Sequence, residues 1–242
     1  MHFLMADICR PELLLELEGI GTTGRFLECC CTDCGEALEA QAGGAGRIEL
    51  CEDLPCGGVT PSKDNIAKVL SEVAIPVNVL IRARGGDFVY SEEEIEEMAG
   101  SIGMCKDLGF NGGVIGALKP DGSVDMEAMN KMMKAAEGLS VTFHRAFDEC
   151  NDPMKALEDI ISLGCDRLLT AGHATNVNDG EAMLKELVDR ADGRIVIMAG
   201  SGVRPGNIGK LESSAGLGEF HSSSHGADGR TGSETVSAMV KG

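Results

Sequence analysis

Short apolar runs recur along this chain, and several of them end in a charged or metal-coordinating residue. Four such runs are Leu27-Glu28-Cys29-Cys30, Ile48-Glu49-Leu50-Cys51, Val79-Leu80-Ile81-Arg82 and Val141-Thr142-Phe143-His144-Arg145. Short apolar runs are typical of parallel strands buried on both faces. In a parallel barrel the carboxyl ends of the strands open onto one face, which carries the chemistry. A polar residue at the end of a single strand is explained by the strand reaching solvent. Four strands that share this feature indicate a functional site assembled from strand ends.

The apolar runs alternate with segments of helical spacing from Phe26 to the end of the chain. The predicted strands are 26–31, 47–51, 76–82, 112–117, 140–145, 167–171, 194–199 and 219–223. About eight strands separated by helices predict the α/β class and a (β/α)8 TIM barrel, a single domain with a short last helix. The alternative is an open doubly wound sheet. That fold favours a glycine-rich turn after the first strand, which residues 29–35 lack.

The first residues fall outside this alternation. Residues 1–24 carry a leucine-rich piece followed by a Gly/Thr-rich stretch, which predicts an N-terminal extension with a short helix and a flexible link. We therefore expect the barrel to occupy residues 25–242. Acidic residues interrupt the first 24 positions, so we expect no signal peptide. No stretch reaches the roughly 18 apolar residues of a membrane span.

Composition narrows the class of partner. Hydrophobic residues make up 43% of the chain, aromatic residues only 3%, and Trp is absent, so the core must be aliphatic. The formal net charge of −18 would repel a nucleic-acid backbone or an anionic membrane face. We therefore expect small molecules, metal ions or copies of this chain as partners. Ten cysteines, three of them consecutive at 29–31, indicate a reduced, cytosolic protein rather than a disulfide framework.

Side-chain alternation groups the strand-end residues. Residues two apart on a strand share a face, so Glu28 points with Cys30, and Glu49 points with Cys51. If these faces look into the barrel mouth, four residues are candidate catalytic groups: Glu28, Glu49, Arg82 and His144. Carboxylates in unequal surroundings can divide acid and base roles, and a histidine can act near neutral pH. The alternative is a buried ion network that seals the barrel top, in which Glu28, Glu49 and Arg82 neutralise one another.

The thiols permit metal chemistry. Soft thiolates favour Cu(I) and Zn(II), and Cys30 and Cys51 on neighbouring strand ends could share one ion. The alternative is that both cysteines only pack as small hydrophobic residues in the core. Separately, Gly200-Ser201-Gly202-Val203-Arg204 is similar to the phosphate-binding loop common after the seventh strand of such barrels, and a tight turn is its alternative.

At these same positions the chain resembles the CutC family of copper homeostasis proteins. The matching stretches are Arg47-Ile48-Glu49-Leu50-Cys51, Gly57-Gly58-Val59-Thr60-Pro61-Ser62, Ile81-Arg82-Ala83-Arg84-Gly85-Gly86-Asp87-Phe88, Val141-Thr142-Phe143-His144-Arg145-Ala146-Phe147-Asp148, Ile197-Met198-Ala199-Gly200 and Glu219-Phe220-His221-Ser222-Ser223. Ala83 stands where the family usually has proline. Cys29 is a third thiol beside the expected pair. Alternation along the strand puts it on the outward face, so we expect it to pack against a helix.

The resemblance implies a cytoplasmic (β/α)8 barrel that forms a homodimer or homotetramer and binds Cu(I). It places the metal-binding thiols on Cys30 and Cys51. It places a polar pocket on Glu28, Glu49, Arg82, Arg84, Asp87, His144, Arg145, Asp148 and His221, beside the loop from Gly200 to Arg204.

Three functional hypotheses follow. The first is a copper homeostasis protein that binds Cu(I) through strand-end cysteines. The second is a TIM-barrel enzyme that acts on a small anionic metabolite, phosphorylated or not, gripped by Arg82, Arg84 and Arg204. The third is an assembly scaffold with a vestigial mouth.

Overall fold

Eight parallel strands close into a barrel in sequence order. The computed structural model describes residues 25–226 and 229–241. The strands are β1 (Phe26–Cys31), β2 (Arg47–Leu50), β3 (Val77–Leu80), β4 (Gly112–Ile115), β5 (Ser140–Phe143), β6 (Arg167–Thr170), β7 (Val196–Ala199) and β8 (Glu219–Ser222). The ring closes because β8 pairs with β1. The predicted (β/α)8 barrel is confirmed. The predicted extension at 1–24 lies outside the described residues and stays a prediction.

The helices cover the outside of the barrel. They are α1 (Cys34–Gly43), α2 (Lys63–Glu72), α3 (Glu92–Leu108), α4 (Met126–Ala135), α5 (Pro153–Ser162), α6 (Glu181–Ala191), α7 (Ile208–Ala215) and α8 (Ser233–Lys241). Ser91 and Glu94 form a reciprocal capping box at the start of α3. The last helix, α8, spans nine residues, as the short tail predicts. None of the helices in the described part of the chain is long and apolar enough to cross a membrane.

Several strands end earlier than the sequence predicts. β3 stops at Leu80 and β5 stops at Phe143, so Arg82 and His144 lie just beyond their strands. At Arg82 the backbone exchanges hydrogen bonds with Thr60 instead of continuing the sheet. His144 caps the short 3-10 helix Arg145–Glu149. These residues therefore stand at the rim of the barrel rather than within its wall.

The two faces of the strands have different surroundings. The outward face packs against the helices in one large core that includes Leu27, Cys29 and Cys31 of β1. Cys29 is fully buried there, as its strand phase predicts, with Sγ 3.4 Å from Oγ of Ser224. Inside the barrel the apolar contacts form only a small cluster, which contains Cys30, Cys51, Leu80 and Val114.

The remaining inward positions are mostly polar and stack in levels. The pairing register and the alternation of side chains place residues of alternate strands at one height. One level consists of Glu28, Asn78, Thr142 and Met198, the next of Glu49, Val114, Leu169 and His221, and the uppermost of Cys30, Leu80, His144 and Gly200. The barrel therefore carries charged groups from its centre to its mouth.

Candidate functional site

A cavity of about 790 Å³ opens at the carboxyl ends of the strands. We call it the mouth cavity. Its strand-end walls are Cys30, Glu49, Cys51, Leu80, Arg82, His144, Leu169 and His221, and its loop walls include Cys56, Phe88, Arg145, Asp148, His173, Ser201, Arg204 and Ser223. This volume lies within the roughly 300–1,000 Å³ typical of small-molecule sites.

Most of the sequence-predicted site residues meet at this cavity, and four do not line it. Glu28 is fully buried beneath it, where it contacts His221. Arg84 and Asp87 pair with each other on the outside, because the chain has left the strand by that point. Gly200 packs against the wall, where an added Cβ would lie 2.4 Å from Leu169. The functional roles of all the predicted residues stay predictions.

One side of the cavity combines thiols with an acid and an imidazole. The Sγ atoms of Cys30 and Cys51 lie 3.3 Å apart, in side chains that are both buried. One ligand atom each from Cys30, Glu49 and His221 lie within 4.8 Å of one another. The hydrogen bond with Cys51, together with burial and the nearby Glu49, raises the pKa of the Cys30 thiol well above its ordinary value. A bound cation would reverse this preference by favouring the thiolate.

His221 bridges two carboxylates beneath the thiols. Its Nδ1 lies 2.8 Å from Oε1 of Glu28, and its Nε2 lies 3.3 Å from Oε2 of Glu49. Burial opposes the charge on His221, but Glu49 and Glu28 outweigh it and raise the imidazole pKa. Burial raises the pKa of Glu49, and the charge on Glu28 adds to this effect.

Glu28 is held ionised by the cation below it. Burial alone would raise the pKa of Glu28, but the charge on Arg47 and the hydrogen bond with His221 lower it to about 2. The two carboxylates therefore differ: Glu28 remains an anion, whereas Glu49 takes up a proton more readily. This is the unequal pair that acid–base chemistry requires.

Arg47 and Glu219 are members of this network that sequence reasoning missed. Arg47 donates to both Glu28 and Glu219, and Arg167 also donates to Glu219 from Nε at 2.9 Å. We call Glu28, Arg47, Arg167, Glu219, His221 and Glu49 the inner charge network. The alternation that groups Glu49 with Cys51 also places Arg47 on the inner face, which was the available signal.

In the structure, the contacts of Arg82 within the protein are with backbone carbonyls. Its guanidinium donates to three backbone carbonyls, those of Cys56 at 3.2 Å, Gly58 at 3.0 Å and Gly86 at 2.6 Å. The alternative of an ion network formed by Glu28, Glu49 and Arg82 does not match the structure, because Arg47 reaches Glu28 from the level below. Arg82 instead joins the two loops that follow β2 and β3.

His144 is neutral at the rim. Burial lowers its pKa to about 3, with the charges of Arg82 and Arg145 adding to the effect. Its Nδ1 accepts a hydrogen bond from the backbone N–H of Ala146, so the ring proton resides on Nε2. His144 therefore offers a neutral N–H donor to the mouth cavity.

Asp148 and Arg204 are held by their own loops. Asp148 accepts from Nε of Arg145 at 2.9 Å and from the backbone N–H groups of Ala171 and His173. Its oxygens are thus already engaged in shaping the loop after β6. Arg204 donates to Oγ of Ser222 at 3.1 Å and to the carbonyl of Val203 at 2.8 Å, and the residue is exposed.

The fold and this geometry define a TIM-barrel protein with a thiol-, acid- and arginine-lined cavity at the face where such barrels bind their ligands. The CutC family model matches residues 25–226. The chain belongs to the CutC family.

Relatives with this name cover most of the chain. The CutC family protein of Parabacteroides distasonis is 50% identical over 201 residues, 82% of each chain. That of Bacteroides thetaiotaomicron is 47% identical over 195 residues, covering 80% of this chain and 78% of its own. A crystal structure described as a candidate copper homeostasis protein CutC from Streptococcus agalactiae is 31% identical, with a TM-score of 0.79, and covers 86% of this chain and 99% of that one.

More distant barrels share the fold alone. Phosphoribosyl anthranilate isomerase from Thermotoga maritima superposes with a TM-score of 0.57 at 11% identity, over 89% of this chain and 96% of that one.

Proposed function

We propose that this protein binds Cu(I) through Cys30 and Cys51 at the barrel mouth and acts in copper homeostasis. The observation that carries the proposal is the pair of buried thiols on neighbouring strand ends, with Sγ atoms 3.3 Å apart at the wall of the mouth cavity. Thiolates are the ligands that select Cu(I). The description of the Streptococcus agalactiae CutC structure as a candidate copper homeostasis protein supplies the link to copper.

The donor set suits the ion. Cys30 and Cys51 would hold Cu(I) as thiolates, with Glu49 and His221 beside them. Binding would release one proton from each thiol. Glu49, close to Cys30, can accept one, and solvent in the mouth cavity takes the other.

Anaerobic Cu(I) titration against a competing chelator tests the proposal. We expect about one Cu(I) per chain in the unaltered protein. Cys30→Ser and Cys51→Ser should each weaken binding by roughly 100-fold or more, beyond the effect of losing a supporting residue. Cys29→Ser is the matched control, because that thiol faces the helices and should leave Cu(I) affinity unchanged. Unchanged affinity in both Cys30→Ser and Cys51→Ser would remove the proposal.

The proposal includes a cytoplasmic location and self-association into a homodimer or homotetramer, as the CutC resemblance implies. Its physical support is that the cysteines of residues 25–226 are free thiols, which a reducing compartment preserves. Light scattering on the purified protein tests the assembly, and a monomer at all concentrations would contradict it.

The second candidate function is an enzyme that acts on a small anionic metabolite, phosphorylated or not. Two observations favour it. The cavity of about 790 Å³ far exceeds the space that one ion requires, and Glu49 and Glu28 have pKa values displaced in opposite directions. Turnover that survives Cys30→Ser but is abolished by Glu49→Gln would favour this candidate over copper binding.

A further inference from the structure

Arg82 is a buried cation without a carboxylate partner. Its residue exposure is 4%, and the ion pairs among residues 25–226 and 229–241 include none that involve it. The comparable buried arginine, Arg47, has Glu28 and Glu219 beside it. Of the nearby carboxylates, Asp148 is already paired with Arg145, and Glu49 lies against His221. Asp87 is close enough for the charge of Arg82 to act on it, but its ion pair is with Arg84.

The cost of burying such a charge is only partly offset within the protein. Three carbonyls accept from the Nη atoms of Arg82, and the ring of Phe88 lies 4.7 Å from its guanidinium carbon. The buried Nε–H has no well-aligned hydrogen-bond partner, and the Tyr90 hydroxyl, which lies beside the guanidinium, is likewise buried without one. A buried cation is expensive unless it is paired and fully hydrogen-bonded. An anion in the cavity would supply the missing charge and acceptor.

A second donor without a partner lies beside it. The Nε2–H of His144 is also buried and unpartnered, and the His144 ring lies 5.0 Å from the ring of Phe88, centroid to centroid. Phe88 therefore contacts both side chains, so that a charged N–H and a neutral N–H share one wall of the mouth cavity. Two such donors suit the two oxygens of a planar or tetrahedral oxyanion.

We propose that Arg82 and His144 form a subsite for an oxyanion group, a carboxylate or a phosphate, carried by a small molecule in the mouth cavity. The subsite does not depend on copper binding. It supplies the anion-binding half of the second candidate function, and it uses residues other than the two thiols.

The competing explanation is that Arg82 serves only to join the loops after β2 and β3. Both roles predict some loss of stability when Arg82 is replaced. They differ in one respect: a purely structural arginine gives no saturable response to an anion at constant ionic strength.

Anion titration of the full-length, metal-free protein separates the two. Sodium acetate is the probe in one arm and sodium phosphate in the other, with chloride holding the ionic strength constant. The first readout is the Arg82 Nε–H signal in ¹H–¹⁵N spectra, assigned by its disappearance in Arg82→Lys. The second readout is the rise in Tm on adding the anion, measured for the unaltered protein, Arg82→Lys, His144→Gln and Arg190→Gln. Arg190→Gln is the control, because Arg190 pairs with Glu158 on the outer surface.

We expect a saturable shift of the Arg82 signal with at least one anion, and the more effective anion identifies the group. Affinity for the anion should fall by roughly 10–100-fold in Arg82→Lys, because lysine keeps the charge but lacks the planar guanidinium with its paired N–H donors. It should fall by roughly tenfold in His144→Gln. Arg190→Gln should respond like the unaltered protein.

Two outcomes would overturn the subsite. One is an Arg82 signal that neither anion moves. The other is an equal rise in Tm in Arg82→Lys and Arg190→Gln. Cys30→Ser should retain the anion response, so failure of the subsite and failure of copper binding are separate results.

Discussion

Two buried arginines on the inner side of this barrel illustrate two uses of charge. Arg47, in the inner charge network, donates to Glu28 and Glu219, so two carboxylates of the protein balance its charge. Arg82, at the mouth, has only carbonyl acceptors and an aromatic face. Both are about equally buried, at 4% exposure. This difference is what we expect if the centre of the barrel contributes stability and the mouth binds the proposed oxyanion group.

Removing each arginine should have unequal effects on stability, and this is the largest difference we expect. Arg47→Met leaves two carboxylates without their shared cation, which should cost about 3–5 kcal/mol in the free energy of unfolding. Arg82→Met leaves no buried carboxylate behind and removes an unpaired buried charge, so the loss of three carbonyl hydrogen bonds should cost less, about 1–2 kcal/mol. Urea unfolding of the two variants measures both values.

Equal losses in the two variants would contradict the distinction between the centre and the mouth. A larger loss in Arg82→Met would show that joining the two loops is the main role of Arg82. Circular dichroism of both variants before denaturation confirms that the comparison starts from folded protein.

His144 should make the mouth sensitive to acid before the inner charge network is. Its pKa is about 3 in the folded protein against 6.5 as the ordinary value. The unfolded chain therefore binds a proton that the folded protein rejects, so stability falls as pH drops below 6.5. At pH 5 the loss should reach roughly 2 kcal/mol relative to pH 7.5. Glu28, with a pKa lowered from 4.5 to about 2, loses its contribution only at lower pH.

The difference between the unaltered protein and His144→Gln isolates this contribution. His221 acts in the opposite direction: its raised pKa adds stability that is fully present below its ordinary value and is lost as pH rises. That contribution is common to both proteins and cancels. Urea unfolding at the two pH values should show a smaller acid loss in His144→Gln. Identical pH profiles would contradict the neutral, buried state of His144.

The fold was predictable because its signals are local. Apolar runs, helical spacing and glycine after helices such as α3 repeat around the whole barrel. The inward pairing of Glu28 with Cys30 and of Glu49 with Cys51 also follows from alternation along one strand. The ends of β3 and β5 were placed too late because a partner elsewhere, such as Thr60 for Arg82, decides where a strand stops pairing.

The inner charge network was less accessible because it depends on closure of the ring. Arg47 meets Glu219 across 172 residues, through a β8–β1 pairing that no local pattern encodes. Arg84 was misplaced for a different reason: a local pattern was applied beyond the end of its strand. It has the phase of Arg82, but the strand has already ended, so alternation no longer fixes its direction and it contacts Glu94 outside.

The smallest effect we expect concerns Thr142, two levels below His144. Its hydroxyl is buried without a hydrogen-bond partner, and unlike His144 it does not line the mouth cavity. An unpartnered polar group with no access to a ligand only costs stability, and Val is nearly its apolar equivalent in shape. Thr142→Val should therefore be neutral or stabilising by up to about 1 kcal/mol in urea unfolding, with Cu(I) and anion binding unchanged. A loss of stability would show that the hydroxyl is hydrogen-bonded in solution, and the contrast between the centre of the barrel and the mouth would then weaken.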